Sequence, residues 1–448
     1  MVTADAFEFG QIIWNRRLEL GWSRPKLASK LNTRAGLTTC DGALIYKWET
    51  GRHAPRAWLP HILHVLDIPT DAAALLHPAT ARTVPAHTCE NPLIGLPAAV
   101  FDRPQADTLL AMLDASGPVE PDTVRQLAHA WLISEPPQIL HQRAGSRVGD
   151  SLITEVRTRT NTLRRMDDFL GGLDLIAQVT KELRATINVL REASYTEETG
   201  RRLLELAAEQ AQLVGWVAGD AGLNQQAQRA YVAGVYAAEA AGHHGLGGLN
   251  LGGLGYLLAA TGNPEHGVIL TRSAAVGAAP YASARERAMI WDRAAWAASL
   301  AGREREAAAA LGRVEDAHDA HHPHAREEEE PDWLYWVSRA ESLVMQGQVW
   351  TELHRPLRAV PILRAVIGTY DHEHARETAL YRSWLAAALL DAGEVEEASA
   401  ETTRVIDLSA GLTSDRVAKR ITMLAGRLTP YAHVPAAREV LDRVREQR

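Results

Sequence analysis

Cysteine is nearly absent: Cys40 and Cys89 are the only two in 448 residues, and their spacing fits no metal-ligand motif. A disulfide framework and a thiolate metal site are therefore excluded, and free thiols in a reducing cytoplasm are expected. Long apolar runs are missing too. The most apolar stretch, residues 246–260, is broken by glycine and falls short of the roughly 20 residues that a membrane span requires. No basic start followed by an apolar core opens the sequence, so no secretory leader is expected. No Ser/His/Asp, Cys/His or paired-carboxylate arrangement can be singled out, so neither an enzyme nor a cofactor is expected.

What is present is ordinary for a packed protein: 46% apolar and 23% charged residues. The length exceeds what one hydrophobic core supports, so two or more domains are expected. Charge divides them. Nine bases and five acids in residues 1–60 give a local charge of +4, leaving −12 for the remainder of a chain whose total is −8. A small basic module on a large acidic body is the asymmetry expected when one end alone meets phosphate.

In the basic module Phe9, Ile13 and Leu20 mark an apolar stripe that Gly21 closes. Ser23 then caps a second helix, with Pro25 in its first turn and Leu27, Ala28 and Leu31 on its buried side. Asp41 caps a third helix with Leu44, Ile45 and Trp48 as apolar positions and Gly51 as its stop; a fourth is expected from about Ala57 to Leu66. Cys40 adjoins the third helix; with no base or cation fixed beside it, an inert small residue is expected rather than a redox switch.

Residues 9–68 resemble the Cro/repressor-like (XRE) helix-turn-helix family. The resemblance rests on Ser23, Leu27-Ala28, Leu31, Ile45, Trp48-Glu49, Gly51-Arg52 and Pro55. Family members usually make a three-to-four-residue turn after the position of Leu31. Here "NTRAGLTTCDG" intervenes, as in a group of actinobacterial regulators where a Gly-x-x-Thr turn precedes the reading helix. The resemblance implies that the third helix enters the major groove of operator DNA while the second crosses the backbone. It puts Thr39, Gly42, Ala43, Tyr46 and Lys47 toward DNA, with Thr38 and Lys26 beside them, and has Arg24, Arg52 and Arg56 hold phosphates. No Gln, Asn or Arg stands at positions 42, 43 and 46, so bidentate base recognition is largely missing. Readout then falls to Ala43 against a thymine methyl, to Lys47, to Arg34 in the long turn, or to DNA shape. The competing reading is a module of the same fold that docks a protein.

From Pro69 to Pro121 eight prolines recur, which reads as a semi-rigid linker over 71–149 with short helices near 71–76 and 106–114. Beyond residue 150 a pattern repeats. Gly222, Gly262, Gly302 and Gly393 each follow an apolar helix and precede a polar start, with Gly347 a weaker fifth mark. A small residue stands five positions after four of them: Ala227, Gly267, Ala307 and Ala398. Spacings of 40 to 46 residues hold two helices and two turns, so residues 150–448 read as a helical-hairpin array resembling tetratricopeptide repeats, with residues 150–193 an earlier hairpin and 413–446 a cap. The expected fold is thus all-α throughout.

Three features of the array have rival readings. The glycines of "GHHGLGGLNLGGLGYLLAATG" lack dinucleotide or Walker spacing, so close helix packing is expected, with a ligand-facing thin spot as the alternative. "HDAHHPHAREEEE", residues 318–330, reads as an exposed loop rather than a metal site. Trp216, Trp291, Trp296, Trp333, Trp336 and Trp384 are expected on first helices of hairpins, mostly as core, with one or two lining an inner groove. The combined expectation is a cytoplasmic, homodimeric transcription regulator whose array dimerises or senses a peptide or small molecule.

Overall fold

The computed structural model describes residues 4–35, 40–50, 55, 58–68, 100–133, 138–139, 147–320, 331–369, 375–410 and 414–446. Contacts divide the chain into two units, Met1–Glu90 and Asn91–Arg448. The described residues are overwhelmingly helical, with only two strands of two residues each. No helix among them is long and apolar enough to cross a membrane.

The first unit holds α1 (Ala4–Glu19), α2 (Arg24–Ala35), α3 (Gly42–Glu49) and α4 (Leu59–Val65). Gly21 ends α1 with φ +63°, a left-handed conformation that costs glycine nothing. Ser23 Oγ accepts from the Lys26 N–H at 3.3 Å, and Asp41 Oδ1 accepts from the Leu44 N–H at 2.7 Å; each satisfies an orphan donor at a helix start. The core is Ile13, Leu27, Ala28, Leu31, Cys40, Ile45, Trp48, Ile62, Leu66 and Ile68. The stripe on α1 differs from expectation: Leu20 is exposed, and the position one turn after Ile13 is Arg17, which is buried. Gly10 lets α1 cross α3 at backbone contact, since a Cβ there would stand 2.2 Å from the Trp48 carbonyl oxygen.

In the second unit β1 (Val100–Phe101) leads into α5 (Arg103–Asp114) and α6 (Pro121–Ile133). The expected linker is therefore not one over 100–133: Phe101, Leu109, Met112, Leu127 and Trp131 belong to the main core of this unit. Pro104 and Pro121 fall in the first turns of α5 and α6, where a missing N–H starts a helix rather than breaking one. The expected helix at 71–76 lies outside the described residues. β2 (Gln138–Ile139) pairs with β1 in parallel, Phe101 opposite Ile139.

Helices then alternate: α7 (Asp150–Met166), α8 (Gly172–Glu192), α9 (Glu197–Asp220), α10 (Asn224–Ala241), α11 (His244–Ala260), α12 (Pro264–Ala278), α13 (Ala284–Leu300), α14 (Glu304–Asp319), α15 (Arg339–Glu352), α16 (Pro356–Ile367), α17 (Ala375–Ala392), α18 (Val395–Ser409), α19 (Asp415–Leu428) and α20 (Pro435–Glu446). Each of α9, α11, α13, α15 and α17 packs against the helix that follows it and against the next odd-numbered helix, so hairpins stack with their first helices in one row.

The turns inside four hairpins carry Gly222, Gly262, Gly302 and Gly393 at φ +75°, +94°, +68° and +83°. The fifth turn is not at Gly347, which lies inside α15 with Leu363 packed where a Cβ would be. It is at His354, a non-glycine at φ +52°. The register then holds: Ala359 stands five positions on and is fully buried, as Ala227, Ala307 and Ala398 are in their hairpins. Position five must be small because the second helix meets the first there. At Gly267 a Cβ would come within 2.7 Å of both the Ala259 Cβ and the Gly255 carbonyl.

The glycine-rich stretch is α11 itself, and its glycines are contact points. Added Cβ atoms would meet the Trp131 ring at Gly247, the Ala278 methyl at Gly248, the Tyr231 ring at Gly253 and Thr271 at Gly255, all within 2.7 Å. Trp131 is further fixed by donating its indole N–H to the Ser273 carbonyl at 2.9 Å. Close packing accounts for this run.

Candidate functional site

In the first unit the centre of the structure is a charge. Glu49 is the last residue of α3, four after the buried Ile45, and is fully buried. Its Oε1 accepts from Arg17 Nε and its Oε2 from Arg24 Nε, each at 2.6 Å. Arg17 also donates to the Trp22 carbonyl at 2.7 Å, and Gln11 Nε2 donates to the Glu49 carbonyl at 3.2 Å. One carboxylate thus ties α1, the start of α2 and α3 together with charge-assisted bonds.

This changes the expectation for Arg24. Its Nε is committed to Glu49, and its guanidinium lies 4.9 Å from the centre of the Tyr46 ring. Gly42 changes as well: its Cβ direction points at Arg24 Cβ and Pro25 Cδ, 3.6 Å away, so it spaces α3 from α2 rather than facing outward. Ala43, Tyr46 and Lys47 are exposed on the side of α3 away from Ile45 and Trp48. Tyr46 is 40% exposed. Lys26 and Arg34 are exposed on α2, the Lys26 ammonium standing 5.8 Å from the Trp22 ring centre. Thr38, Thr39, Arg52 and Arg56 lie outside the described residues.

The long turn before α3 is held at its far end by a residue that sequence reading passed over. Asn32 donates to the Cys40 carbonyl at 2.8 Å and accepts the Cys40 N–H at 3.0 Å, a two-bond clamp between α2 and the residue before the Asp41 cap. The Cys40 thiol is buried, and burial, with Asp41 adding to it, pushes its pKa up to about 11. A thiol so protonated is a poor nucleophile, as expected for an inert small residue. Beside this face Trp14 and Leu18 of α1 are exposed and border a shallow hollow with Pro25 and Gly42.

The second unit holds a partly open cavity of about 450 Å³, lined from α7, α9, α11, α13, α15, α17 and α19. It is bordered by contacts between segments that are far apart in sequence. Arg165 makes a two-bond pair with Asp332 at 2.8 and 2.6 Å, Arg164 reaches the same carboxylate at 3.3 Å, and the Tyr335 hydroxyl donates to Asp168 at 2.6 Å. On the other side Ser414 Oγ donates to Asp220 at 3.3 Å, and Arg416 lies over the Trp216 ring at 5.0 Å.

Aromatic side chains run along the inner row: Trp216 to Tyr256 at 6.2 Å, Tyr256 to Trp296 at 5.5 Å, and Trp296 to Trp384 at 5.4 Å between ring centres. Of the tryptophans expected on first helices, Trp333 and Trp336 instead precede α15, in and just after a single 3-10 turn at 332–334. Trp216 and Trp336 line the cavity.

Arg293 of α13 enters this cavity 7% exposed, its guanidinium 4.5 Å from the Tyr256 ring centre, 5.2 Å from Trp216 and 5.9 Å from Trp336. Among the described residues no carboxylate lies within ion-pairing reach of it. Its neighbour Asp292 accepts from Ser342 Oγ at 2.7 Å through one oxygen, while the other oxygen is buried without a partner. Burial pushes the Asp292 carboxyl up to about 8, so near neutral pH it is largely a neutral acid. Of the four histidines in the expected loop only His318 is among the described residues, on α14 with its Nε2 2.9 Å from Ser342 Oγ. No cluster of three or more His, Cys, Asp or Glu that could hold a metal occurs among the described residues.

Set against family models, curated proteins and solved structures, the chain matches none of them.

Proposed function

We propose that the protein is a DNA-binding transcription regulator, with the first unit as a helix-turn-helix module and the second as a tetratricopeptide-like array that senses a small molecule. The observation that carries the first half is the two-sidedness of α3. Ile45, Trp48 and Glu49 anchor it in the core, while Ala43, Tyr46 and Lys47 stand exposed beside the cations of α2. A short helix gripped on one side by its core and basic on the other is the form that lies in a major groove. Arg24, held by Glu49, then acts mainly by orienting Tyr46 and keeping a positive edge on α2. Two copies would address half-sites one helical turn, roughly 34 Å, apart.

The test is a titration of the full chain against labelled genomic fragments at several salt concentrations. Affinity for double-stranded DNA should fall steeply as salt rises, because each neutralised phosphate releases counterions. Lys47→Glu and Arg34→Glu should each weaken binding and reduce the salt slope by about 1. Binding that is weak at all salt concentrations, or that ignores both charge reversals, would refute the reading.

A second reading has its own observation: the exposed Trp14 and Leu18 beside Gly42 form an apolar patch suited to a protein partner. Trp14→Ala with Leu18→Ser separates the two. On the DNA reading this double variant leaves the salt-dependent shift intact.

A further inference from the structure

We propose that the cavity of the second unit takes a small molecule carrying one carboxylate on a flat apolar body, with Arg293 receiving the carboxylate. Only the regulatory consequence rests on the sensor reading given above; binding is a property of the second unit's own residues.

The size sets the class. A partly open space of about 450 Å³ lies within the ~300–1,000 Å³ typical of small-molecule sites. The walls set the body: Trp216, Tyr256 and Trp336 present ring surfaces around one guanidinium, and planar apolar groups stack on such surfaces.

The charge follows from which groups already have partners. Arg164 is paired with Glu209 at 2.6 Å and with Asp332. Glu341 accepts the Tyr381 hydroxyl at 3.0 and 2.7 Å, and Asp168 accepts that of Tyr335. Among the described residues Arg293 has only the ring faces, which compensate a buried cation in part but accept none of its N–H donors. Asp292 beside it does not supply the missing negative charge, being a buried acid with Ser342 as its donor. A cationic ligand would put a second positive charge into a cage already occupied by one. An anion completes it, and a carboxylate matches the planar fork of a guanidinium with two parallel bonds. A single charge is favoured over the two of a phosphate monoester, because Asp168 and Glu341 also line the cavity and repel the additional charge.

The probes are 2-naphthoate, its neutral isostere 2-naphthamide and 2-naphthyl phosphate, titrated calorimetrically into the full chain without DNA; indole-3-acetate serves as a second carboxylate of different shape. At least one carboxylate should bind with Kd below about 1 mM, and 2-naphthoate should bind at least tenfold more tightly than the amide and more tightly than the phosphate. Arg293→Gln should remove most of the preference for carboxylate over amide, and Arg293→Lys should keep part of it. Should Arg293→Gln fail to fold, the ratio between the isosteres on the unaltered protein still decides. Equal affinities for naphthoate and naphthamide, tighter binding of the phosphate, or no carboxylate binding in this range would overturn the proposal. Loss of probe binding with intact DNA shifts would sink this inference alone, and intact probe binding without DNA shifts would sink the regulator reading alone.

Discussion

Removing the Glu49 carboxylate is the sharpest perturbation available in the first unit. Glu49 is fully buried and takes a bond of 2.6 Å from each of two arginines, Arg17 buried and Arg24 about one third exposed. Truncating one side of a buried pair costs about 3–5 kcal/mol, because the partner is left charged and dry. Here most of that falls on Arg17; water reaches Arg24 and screens its share. A folded unit of roughly 65 residues has about 3–10 kcal/mol to lose, so Glu49→Ala leaves it near the edge of unfolding. Hydrogen exchange on the full chain reads this locally. Amide protection across α1 and α3 should fall about a hundredfold or more, corresponding to about 3 kcal/mol, while protection in α9 to α13 is unchanged. Glu49→Gln should cost less, since one amide oxygen still accepts. The triple replacement Arg17→Met, Glu49→Leu, Arg24→Met should recover most of the lost protection, because well-packed apolar groups commonly replace buried ion pairs without loss. If Glu49→Ala left α3 protection within about threefold of the parent, the carboxylate would not be what ties these helices together, and the account of Arg24 would fall with it.

Two glycines of similar helical setting should respond oppositely. Gly267→Ala drives a methyl into backbone and should cost about 1–3 kcal/mol, whereas Gly312→Ala, with open space around its Cβ position, should add about 0.5–1 kcal/mol through helix propensity; thermal unfolding of the pair decides. His354→Gly should relieve left-handed strain of about 1 kcal/mol and lose an exposed contact to Asp391 worth less than that, for a small net rise in Tm. Asp292 gives a pH signature. Its folded pKa of about 8 lies above its ordinary 3.8, so between those values the folded state holds a proton the unfolded chain has released, and stability falls as pH climbs from about 4 to about 8 before levelling. The charges facing it are Arg293, Glu315 and Glu341, with Ser342 its donor; Asp292→Asn should flatten the slope in denaturant unfolding at about pH 5, 7 and 9.

Much of the helical order was legible because helices and turns are written locally. Gly222, Gly262, Gly302 and Gly393 declare four turns, since glycine alone takes that conformation without strain. The fifth was misplaced because His354 takes it too, and the decisive mark there was Ala359. Proline misled for a related reason. Read as a breaker it suggested a linker over 71–149, yet Pro104 and Pro121 sit in first turns, where proline begins helices. On α3 the outward positions Ala43, Tyr46 and Lys47 came from the resemblance to the helix-turn-helix family, which also put Gly42 outward although it packs against Arg24 and Pro25. Glu49, four residues after Ile45, carried the signal of a buried charge, but naming Arg17 and Arg24 as its partners needs the third dimension.

The cavity was beyond sequence reading for a more general reason. Each hairpin contacts its neighbours, so an array read repeat by repeat has an open concave face and admits peptide and small molecule alike. What narrows that face are pairs such as Arg165 with Asp332 and Ser414 with Asp220, separated by 167 and 194 residues. No periodicity records those pairs. Within the cavity the one hint was Asp292-Arg293 in the middle of α13, between the apolar stretches 288–291 and 294–298, where two charges side by side demand partners. Among the described residues Asp292 finds Ser342 and becomes a neutral acid, while Arg293 finds three rings and no anion. A ligand that supplies the anion would be held by helices α9, α11 and α13 together with the segment before α15. Two of those elements, α9 and the segment before α15, also carry the long-range pairs at Asp220 and Asp332. Binding can therefore act on the rest of the molecule only to the degree that it favours the closed arrangement over an opened one, since a ligand shifts an equilibrium by its difference in affinity for the two states.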